Sequence, residues 1–493
     1  MSQKTPADPL AEPPEADFTD VLPAPGPRPQ RVAWTRAARE LAAASPDDGT
    51  HPGGARPGRT PSPRPRLTPG KVGRPDAAPV SWRTQALRSS RRLHGLDLAR
   101  FLALAGMMAV HIWADTVRQG GVGGLVGTVV AGNAAAVFAF LAGITLVFLS
   151  GGHRGARGAE LTRARVGITV RAVLLLLIGL VLNMVDFPAY DILPYYAVLF
   201  LMAVPLLSLR ARELALCAAV ALLLGPVLRV LVLTGGAEVP SVDPTVVSLV
   251  TEPGATATQL LVTGTYPAVT WMAYVCAGMA AARLNLFDRQ RQALLAVGGA
   301  AAMAAASALS WAALHVWDGR LHLAAVSGIR PDLVEHVAAR GGVDAHTLVA
   351  SPWWLTALGA HLDTPLSTLH AVGTAALVVG FVLMLTNGLL SPDGSLPAWT
   401  DPFRAAGSMS LTVYVAHLLL LTVPGWEDWR LGFYLAQVAL LMALAWAWRS
   451  AFSQGPLETV VSRIPKAVSG ALVPRAKARG SEGYEPLTED AGR

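Results

Sequence analysis

The stretch LDLARFLALAGMMAVHIWAD, residues 96–115, has the length and apolar content of a helix that spans a membrane. It nevertheless contains four ionisable side chains, those of Asp97, Arg100, His111 and Asp115. A charged residue at the centre of a bilayer costs about 2.5 kcal/mol or more even on the most lenient insertion scales. Ionisable residues inside a span are usually functional for this reason, so the stretch predicts both a membrane fold and a site within it.

The composition of the whole chain is also typical of a membrane protein. Of 493 residues, 52% are hydrophobic and 15% are charged, whereas soluble proteins carry about 25% charged residues. The first 90 residues differ, because they are rich in Pro and Arg and lack apolar runs, as disordered segments do. We therefore predict a disordered cytoplasmic tail over 1–90, a membrane domain over 91–465, and a basic then acidic cytoplasmic tail over 466–493.

About ten apolar segments are long enough to cross a bilayer, which predicts an all-α polytopic membrane protein. Their approximate bounds are 96–117, 132–150, 167–185, 192–209, 213–234, 262–283, 292–314, 367–388, 405–423 and 431–449. One alternate set of connections is rich in Lys and Arg, as in HRGARGAELTRAR (153–165), whereas the other includes DFPAYD (186–191), which has none. The positive-inside rule therefore predicts that both termini are cytoplasmic. A bias toward Ala, Gly, Pro and Arg indicates a GC-rich bacterial genome, and hence the bacterial cytoplasmic membrane.

This orientation places the ionisable residues of the first span at two depths. Asp97 and Arg100 lie near the cytoplasmic end, where capping or snorkelling also explains them. His111 lies eleven residues beyond Arg100, about 16 Å along the axis and on nearly the same face. Asp115 follows one turn later, within reach of His111 as an i, i+4 partner. The alternative for His111 is a hydrogen-bonded core histidine with no further role.

The ninth predicted span contains a second intramembrane histidine, His417, with Tyr414 three residues earlier on the same face. Because this span also runs outward, both histidines are expected at similar depth in the outer half. Other polar side chains of that half are candidates for substrate binding, although tyrosines there are also typical interfacial anchors. These candidates are Asn133, Asp186, Tyr196 and Tyr266.

Arginines at the cytoplasmic ends of the spans form a second group of candidates. A rim of guanidinium groups suits the phosphates of a nucleotide-containing donor, and the alternative is that these arginines only set the topology. The candidates for donor binding are Arg100, Arg171, Arg283 and Arg404. The net charge of +7 follows from the topology and does not indicate nucleic-acid binding. The sequence has no Walker loop, dinucleotide fingerprint or zinc-type cysteine cluster.

The segment RLHGLDLARFLALAGMMAVH (92–111) resembles the opening motif of transmembrane acyltransferases, and more specifically the bacterial branch related to heparan-α-glucosaminide N-acetyltransferase. Further segments agree in their order along the chain. They are NAAAVFAFLAGITLVFLSGG (133–152), ILPYYAVLFLMAVPLL (192–207), LLVTGTYPAVTWMAYVCAGMAAARLNL (260–286), DTPLSTLHAVGTAALVVGFVLMLT (363–386), AAGSMSLTVYVAH (405–417) and GPLETVVSRI (455–464). The resemblance covers most of residues 92–464 and none of the N-terminal tail.

The resemblance implies transfer of an acyl group, acetyl or another, from cytoplasmic acyl-CoA or acetyl-CoA to an acceptor. The family's motif histidine corresponds to His111, which is implied to be the general base, with Asp115 fixing its tautomer. His417 and Tyr414 would position the acceptor or the developing oxyanion. The candidate arginines would hold the phosphates of CoA. No metal is required, because a thioester is already activated.

One departure from the family bears on the base. The animal lysosomal members have Asn at the position of His111 and a catalytic histidine in the following loop. Here that loop, TVRQGGVGG (116–124), contains no histidine. The departure favours His111 as the base and leaves the identity of the acyl group open.

Two other functions are compatible with the sequence. A proton-coupled small-molecule transporter would use His111 and His417 at mid-membrane, although the paired broken helices that mark many carriers are not evident. A scaffold that presents the Pro-rich tail would leave both histidines unused. The lipid bilayer is a partner in every case. An acyltransferase adds a hydroxyl or amine acceptor on an envelope glycan, a lipid or a secreted small molecule, and the sequence leaves open whether the chain forms a homodimer.

Overall fold

A computed structural model of the chain describes residues 93–114, 116, 121–328, 330–331, 334, 338, 350–389 and 396–473. Within these ranges every regular element is a helix and no β-strand is present. The predicted all-α class is therefore confirmed. The predicted tail over 1–90 and residues 474–493 of the predicted C-terminal tail lie outside the described residues.

The α-helices of the described ranges are numbered here in chain order. They are α1 (His94–Ile112), α2 (Gly121–Leu125), α3 (Asn133–Leu149), α4 (Gly158–Leu182), α5 (Leu193–Ala203), α6 (Ala211–Thr234), α7 (Val246–Thr251), α8 (Pro253–Thr258), α9 (Ala268–Arg283), α10 (Arg289–His315), α11 (Gly319–Ser327), α12 (Pro365–Met384), α13 (Asp401–Ser408), α14 (Ser410–Leu420), α15 (Arg430–Ala451) and α16 (Pro456–Leu472). Short π-helical turns follow α2, α8 and α12, at Val126–Val130, Gln259–Thr263 and Leu385–Leu389.

Seven helical segments of the described chain are long and apolar enough to cross a membrane, and up to nine if each of two bent pairs is one span. The fourth predicted span, 192–209, differs from these. It contains only the eleven residues of α5, followed by a 3-10 turn at Pro205–Ser208. Pro205 interrupts the helix there, because proline has no backbone N–H to donate.

One of the bent pairs carries three predicted site residues, Arg404, Tyr414 and His417. The segments Ala398–Ser408 and Ser410–Leu420 meet at an angle of 76°, within the predicted span 405–423. The carboxylate of Glu458 accepts hydrogen bonds from the backbone N–H groups of Leu411 and Thr412, at 2.8 and 3.1 Å. These are first-turn amides of α14, which have no partner inside their own helix. Glu458 therefore caps a new helix at this break and sets the direction in which α14 carries His417.

Glycines allow the central helices to approach closely. A Cβ atom on Gly407 of α13 would lie 1.8 Å from the backbone oxygen of Asp97 in α1. In the same way, a Cβ atom on Gly278 of α9 would lie 2.0 Å from the backbone oxygen of Phe140 in α3. Small residues at such crossings are typical of membrane helices, where close packing replaces the hydrophobic effect as the driving force. The first of these contacts holds α1 close to α13, the helix that precedes α14.

Candidate active site

Three helices bring two histidines and a glutamine into one buried chain of hydrogen bonds. His111 lies in the last turn of α1, and His417 in α14 is fully buried. Nδ1 of His111 and Nε2 of His417 are 3.0 Å apart, and Nδ1 of His417 is 2.6 Å from Oε1 of Gln437 in α15. The two rings are nearly parallel, with centroids 5.2 Å apart. The structure therefore brings together the two histidines that the sequence predicts at similar depth.

Gln437 determines which atom donates and which accepts in each of these hydrogen bonds. An amide oxygen only accepts hydrogen bonds, so Nδ1 of His417 carries the hydrogen. Nε2 of the same neutral ring is then the acceptor, and it receives the hydrogen on Nδ1 of His111. The remaining nitrogen of His111, Nε2, is consequently unprotonated, and it has no hydrogen-bond partner among the described residues. In this tautomer Nε2 is available to accept a proton.

A cavity of about 910 Å³ lies beside His111. Two of the predicted substrate-binding residues, Asp186 and Tyr266, line it, together with Asp243 and His361. We call it the His111 cavity. Its volume is within the range of small-molecule sites, about 300–1,000 Å³.

A second cavity has a volume of about 230 Å³ and is lined by Tyr414, which does not line the first. Arg100, Arg171, Tyr196 and Tyr414 are among its lining residues, and we call it the Arg171 cavity. The rings of His111 and Tyr414 line different cavities, yet their centroids are only 6.4 Å apart. Tyr196, which the sequence grouped with the substrate-binding candidates, lies here and not in the His111 cavity.

The four candidate arginines have different surroundings. Arg100 donates to Asp97 at 2.9 Å and to the Thr145 hydroxyl at 2.8 Å. Arg171 lines the same cavity but makes no hydrogen bond or ion pair with any described residue. A half-buried guanidinium without a partner has five N–H donors free for an anionic ligand. Arg171 is thus the candidate most open to a ligand.

The other two arginines, Arg283 and Arg404, line neither the His111 cavity nor the Arg171 cavity. Arg283 donates to the backbone oxygens of Gly152 and Leu207, and so ties the connection after α3 to the turn after α5. Arg404 bonds to Asp401 and to Nδ1 of His94, each at 2.7 Å. The guanidinium groups of both arginines therefore form hydrogen bonds to other parts of the protein.

The two remaining predicted site residues are Asn133 and Asp115. Asn133 donates to the backbone oxygen of Val129 at 3.1 Å and lines a third cavity, of about 210 Å³. Asp115, the predicted partner of His111, lies outside the described residues. Within the described chain, the hydrogen-bond partner of His111 is His417.

A buried ion pair beside the site was not anticipated from the sequence. Arg229 in α6 pairs with Asp363, and the indole N–H of Trp271 donates to the other oxygen of the same carboxylate at 2.9 Å. Asp363 and His361 both have positive φ values, 51° and 57°, which non-glycine residues rarely adopt. The pair holds this strained turn, and His361 on the turn lines both the His111 cavity and the third cavity.

The fold and the site define a multi-pass membrane protein with a buried histidine pair, one member of which lines the His111 cavity. Residues 92–317 match the family model described as heparan-alpha-glucosaminide N-acetyltransferase, catalytic. Residues 336–464 match the model described as protein of unknown function (DUF418). No curated protein matches the chain. The chain is related to the heparan-alpha-glucosaminide N-acetyltransferase-like transmembrane acyltransferases, as the resemblance predicted, and the catalytic match supports a membrane acetyltransferase-like function.

The two matched regions contribute to one site. His111 lies in the region matched by the catalytic model, whereas His417 and Gln437 lie in the second region. The chain of hydrogen bonds therefore crosses from one region to the other. Neither region alone holds the complete arrangement.

Proposed function

We propose that the protein transfers an acyl group from acyl-CoA, acetyl-CoA being one such donor, to a hydroxyl or amine of an acceptor in the His111 cavity. The observation that carries the proposal is the hydrogen-bond chain from His111 to Gln437. This chain leaves Nε2 of His111 as an unprotonated nitrogen beside a cavity large enough for a small acceptor. A neutral imidazole in this position is suited to general-base catalysis.

The acceptor loses its proton to Nε2 of His111 as its oxygen or nitrogen attacks the acyl carbon. The resulting imidazolium is stabilised through Nδ1, whose hydrogen bond to His417 strengthens as the ring becomes charged. In this proposal His417 and Gln437 orient the imidazole ring of His111. The sequence had predicted this role for Asp115. The C–S bond of the thioester then breaks, and the thiolate of CoA leaves.

The donor is proposed to enter through the Arg171 cavity. A cavity of about 230 Å³ holds only part of an acyl-CoA molecule, so it suits the acyl end and the adjoining arm. The chemistry of its lining fits this donor, because the unpartnered guanidinium of Arg171 can donate hydrogen bonds to those oxygen atoms of the donor that enter the cavity. Tyr414 lines the same cavity beside the His111 ring, so an acyl group next to Tyr414 is close to the base.

The topology predicted from the charged connections assigns each of the two cavities to one side of the membrane. It places the arginine-lined end toward the cytoplasm, where acyl-CoA is made, and the His111 end toward the outer face. The acceptor would then be a glycan, a lipid or a secreted small molecule of the envelope of a bacterial cell. The proposed location is the bacterial cytoplasmic membrane.

The test uses purified full-length protein in lipid vesicles with labelled acetyl-CoA and extracted envelope glycans or lipids. We expect the wild type to label an acceptor and His111→Ala to lose at least about a hundredfold in rate, as expected for removal of a general base. His153→Ala is a matched control, because His153 is exposed and lies in a 3-10 turn away from the cavities. Unchanged transfer by His111→Ala would exclude His111 as the base.

A binding measurement distinguishes the proposed acyltransferase from the alternative, a transporter. An acyltransferase that binds acyl-CoA gains thermal stability from it, because a ligand that binds only the folded state stabilises that state. A transporter of another solute has no reason to respond. An unchanged melting temperature of the wild type at saturating acyl-CoA would favour the transporter.

A further inference from the structure

Two buried aspartates, Asp191 and Asp243, meet in the connections that precede α5 and α7. We call them the aspartate pair. The backbone N–H of Asp191 donates to the carboxylate of Asp243, and the N–H of Leu193 donates to Oδ1 of Asp191 at 3.0 Å. Oδ2 of Asp191 and Oδ1 of Asp243 are sealed from solvent and have no hydrogen-bond partner among the described residues. Neither carboxyl forms an ion pair with a described Lys or Arg.

Two neighbouring carboxyls in such a place do not both ionise readily. Burial removes the water that would stabilise each charge, and a second negative charge adds repulsion. Burial accordingly raises the pKa of Asp191 to about 7 and that of Asp243 to about 7. Asp243 lines the His111 cavity together with His111, His361 and Asp186. The other titratable groups of the described chain that act on the pair are tyrosine hydroxyls. They are Tyr190, Tyr195, Tyr266 and Tyr414.

Tyr414 connects the aspartate pair to the Arg171 cavity. Its hydroxyl oxygen accepts a hydrogen bond from the backbone N–H of Ile192 at 3.2 Å. The same hydroxyl is near enough to the carboxyl of Asp191 to lower the pKa of that carboxyl, against the larger effect of burial. The Tyr414 side chain lines the cavity in which we place the acyl end of the donor. One hydroxyl thus lies between a buried carboxyl and the proposed position of the thioester.

We propose that the aspartate pair stores one proton and delivers it, through the Tyr414 hydroxyl, to the sulfur atom that leaves the donor. This inference rests on the acyl transfer proposed above. The acceptor atom forms its bond to the acyl carbon and gives its proton to His111. The C–S bond breaks with its electron pair on sulfur, and the thiolate takes the hydroxyl proton of Tyr414. The tyrosinate takes the carboxyl proton of Asp191 in turn.

A proton returns from His111 to the aspartate pair through the His111 cavity after each transfer. After transfer His111 holds one extra proton, and the aspartate pair lacks one. Asp243 and His111 both line the His111 cavity, so water there can carry the proton from the imidazolium back to the carboxylate. The net reaction is acceptor plus acyl-CoA to acylated acceptor plus CoA thiol, and no further reactant is needed. Each cavity thus has its own proton-transfer group, His111 for the acceptor and Tyr414 for the leaving group.

The experiment compares two donors whose leaving thiols differ in their need for a proton. Acetyl-CoA releases an alkyl thiol, with a pKa of about 8.5, typical of thiols, whereas an acetyl thioester of an acidic aryl thiol releases a stable thiolate. Both are given to the full-length protein in vesicles with extracted envelope glycans, and thiol release is followed. We expect Asp191→Asn and Tyr414→Phe to lose about a hundredfold in rate with acetyl-CoA and less than about threefold with the aryl thioester.

The matched control is Asp186→Asn, because Asp186 lines the His111 cavity but not the Arg171 cavity. It is expected to lose rate by the same factor with both donors. Equal losses with both donors in Asp191→Asn, or no loss with either, would overturn the proton store. A wild-type protein that releases thiol from neither donor would instead overturn the proposed acyl transfer. Thermal stability of each variant separates failure to fold from loss of the proton.

Discussion

Nε2 of His417 lies 3.0 Å from Nδ1 of His111, although 306 residues separate the two in the chain. Two separate requirements produce this contact. α1 must approach α13 closely enough for Gly407 to touch the backbone of Asp97. α14 must then turn by 76° away from the segment that contains α13, at a break capped by Glu458. The tautomer of His111 is therefore a property of the helix packing and does not follow from the motif around it.

Gln437 is expected to control the activity without contacting any reactant. Gln437→Leu removes the acceptor for Nδ1 of His417, so the ring can adopt either tautomer and no longer holds His111 with Nε2 unprotonated. We expect kcat to fall by about a hundredfold, the lower end of what a general base contributes. Gln437→Glu keeps an oxygen acceptor at the same place and should retain most of the activity. If the Leu and Glu variants had the same thermal stability and lost kcat equally, the donor and acceptor roles assigned to His417 and Gln437 would be contradicted.

Arg171 is expected to affect donor affinity more than turnover. Arg171→Gln removes a charged group that lines the Arg171 cavity and has no partner in the described chain. The KM for acetyl-CoA should rise by about tenfold, equivalent to one charge-assisted hydrogen bond of about 1.4 kcal/mol, with a smaller change in kcat. Arg212→Gln is the control, because Arg212 is exposed near the start of α6 and lines neither the His111 cavity nor the Arg171 cavity. A KM that changes equally in both variants would argue for a general effect of surface charge.

The sequence predicts these features to different extents. The helical class and the depth of the two histidines follow from apolar length and from the placement of Lys and Arg, because both signals are local. Gln437 carries no such signal, since a lone glutamine in an apolar segment does not indicate its partner. The pairing of Arg229 with Asp363 joins residues 134 positions apart, and no periodicity in one sequence relates them. The break before α14 depends on Glu458, which follows its hydrogen-bond partner Thr412 by 46 residues.

The Arg229–Asp363 pair is expected to be a large contributor to stability. Arg229→Met leaves the buried carboxylate of Asp363 with only the Trp271 indole as a partner. Loss of one member of a buried pair typically costs about 3–5 kcal/mol, because the other charge remains buried. The double variant Arg229→Met with Asp363→Leu removes both charges and should recover part of the loss. Thermal unfolding in detergent measures all three proteins, and a double variant less stable than Arg229→Met would contradict this account.

Asp243 should make stability depend on pH in a defined direction. Burial raises the pKa of its carboxyl from 3.8 to about 7, against the opposing hydrogen bond from the Asp191 backbone. Between these values the folded protein holds a proton that the unfolded chain has released, so stability falls as pH rises from about 4 to about 7. Above pH 7 this dependence ends. Asp243→Asn replaces the carboxyl with a neutral side chain and so removes its contribution to the pH dependence. The melting temperature of the variant should therefore fall less than that of the wild type between about pH 4 and about pH 7. Identical slopes would show that Asp243 is not protonated in the folded state.

Gly407 should be needed both for folding and for the donor site, because it lies where α13 crosses α1. A methyl group at this position would lie 1.8 Å from the backbone oxygen of Asp97 and 3.1 Å from the backbone nitrogen of Phe101. Backbone atoms cannot move aside as a flexible side chain can, so Gly407→Ala must push the two helices apart. Overpacking of this kind costs about 1–3 kcal/mol. The next residue, Ser408, lines the Arg171 cavity together with Arg100 of α1.

We therefore expect Gly407→Ala to lower the melting temperature and also to raise the KM for acetyl-CoA. Gly298→Ala provides the control, since an added Cβ there meets no atom within 4 Å in the middle of α10. Alanine has a higher helix propensity than glycine by about 1 kcal/mol, so this second variant should be as stable as the wild type or more so. If Gly407→Ala proved as stable as Gly298→Ala, with an unchanged KM, the close crossing of α1 and α13 would not be what shapes the donor cavity.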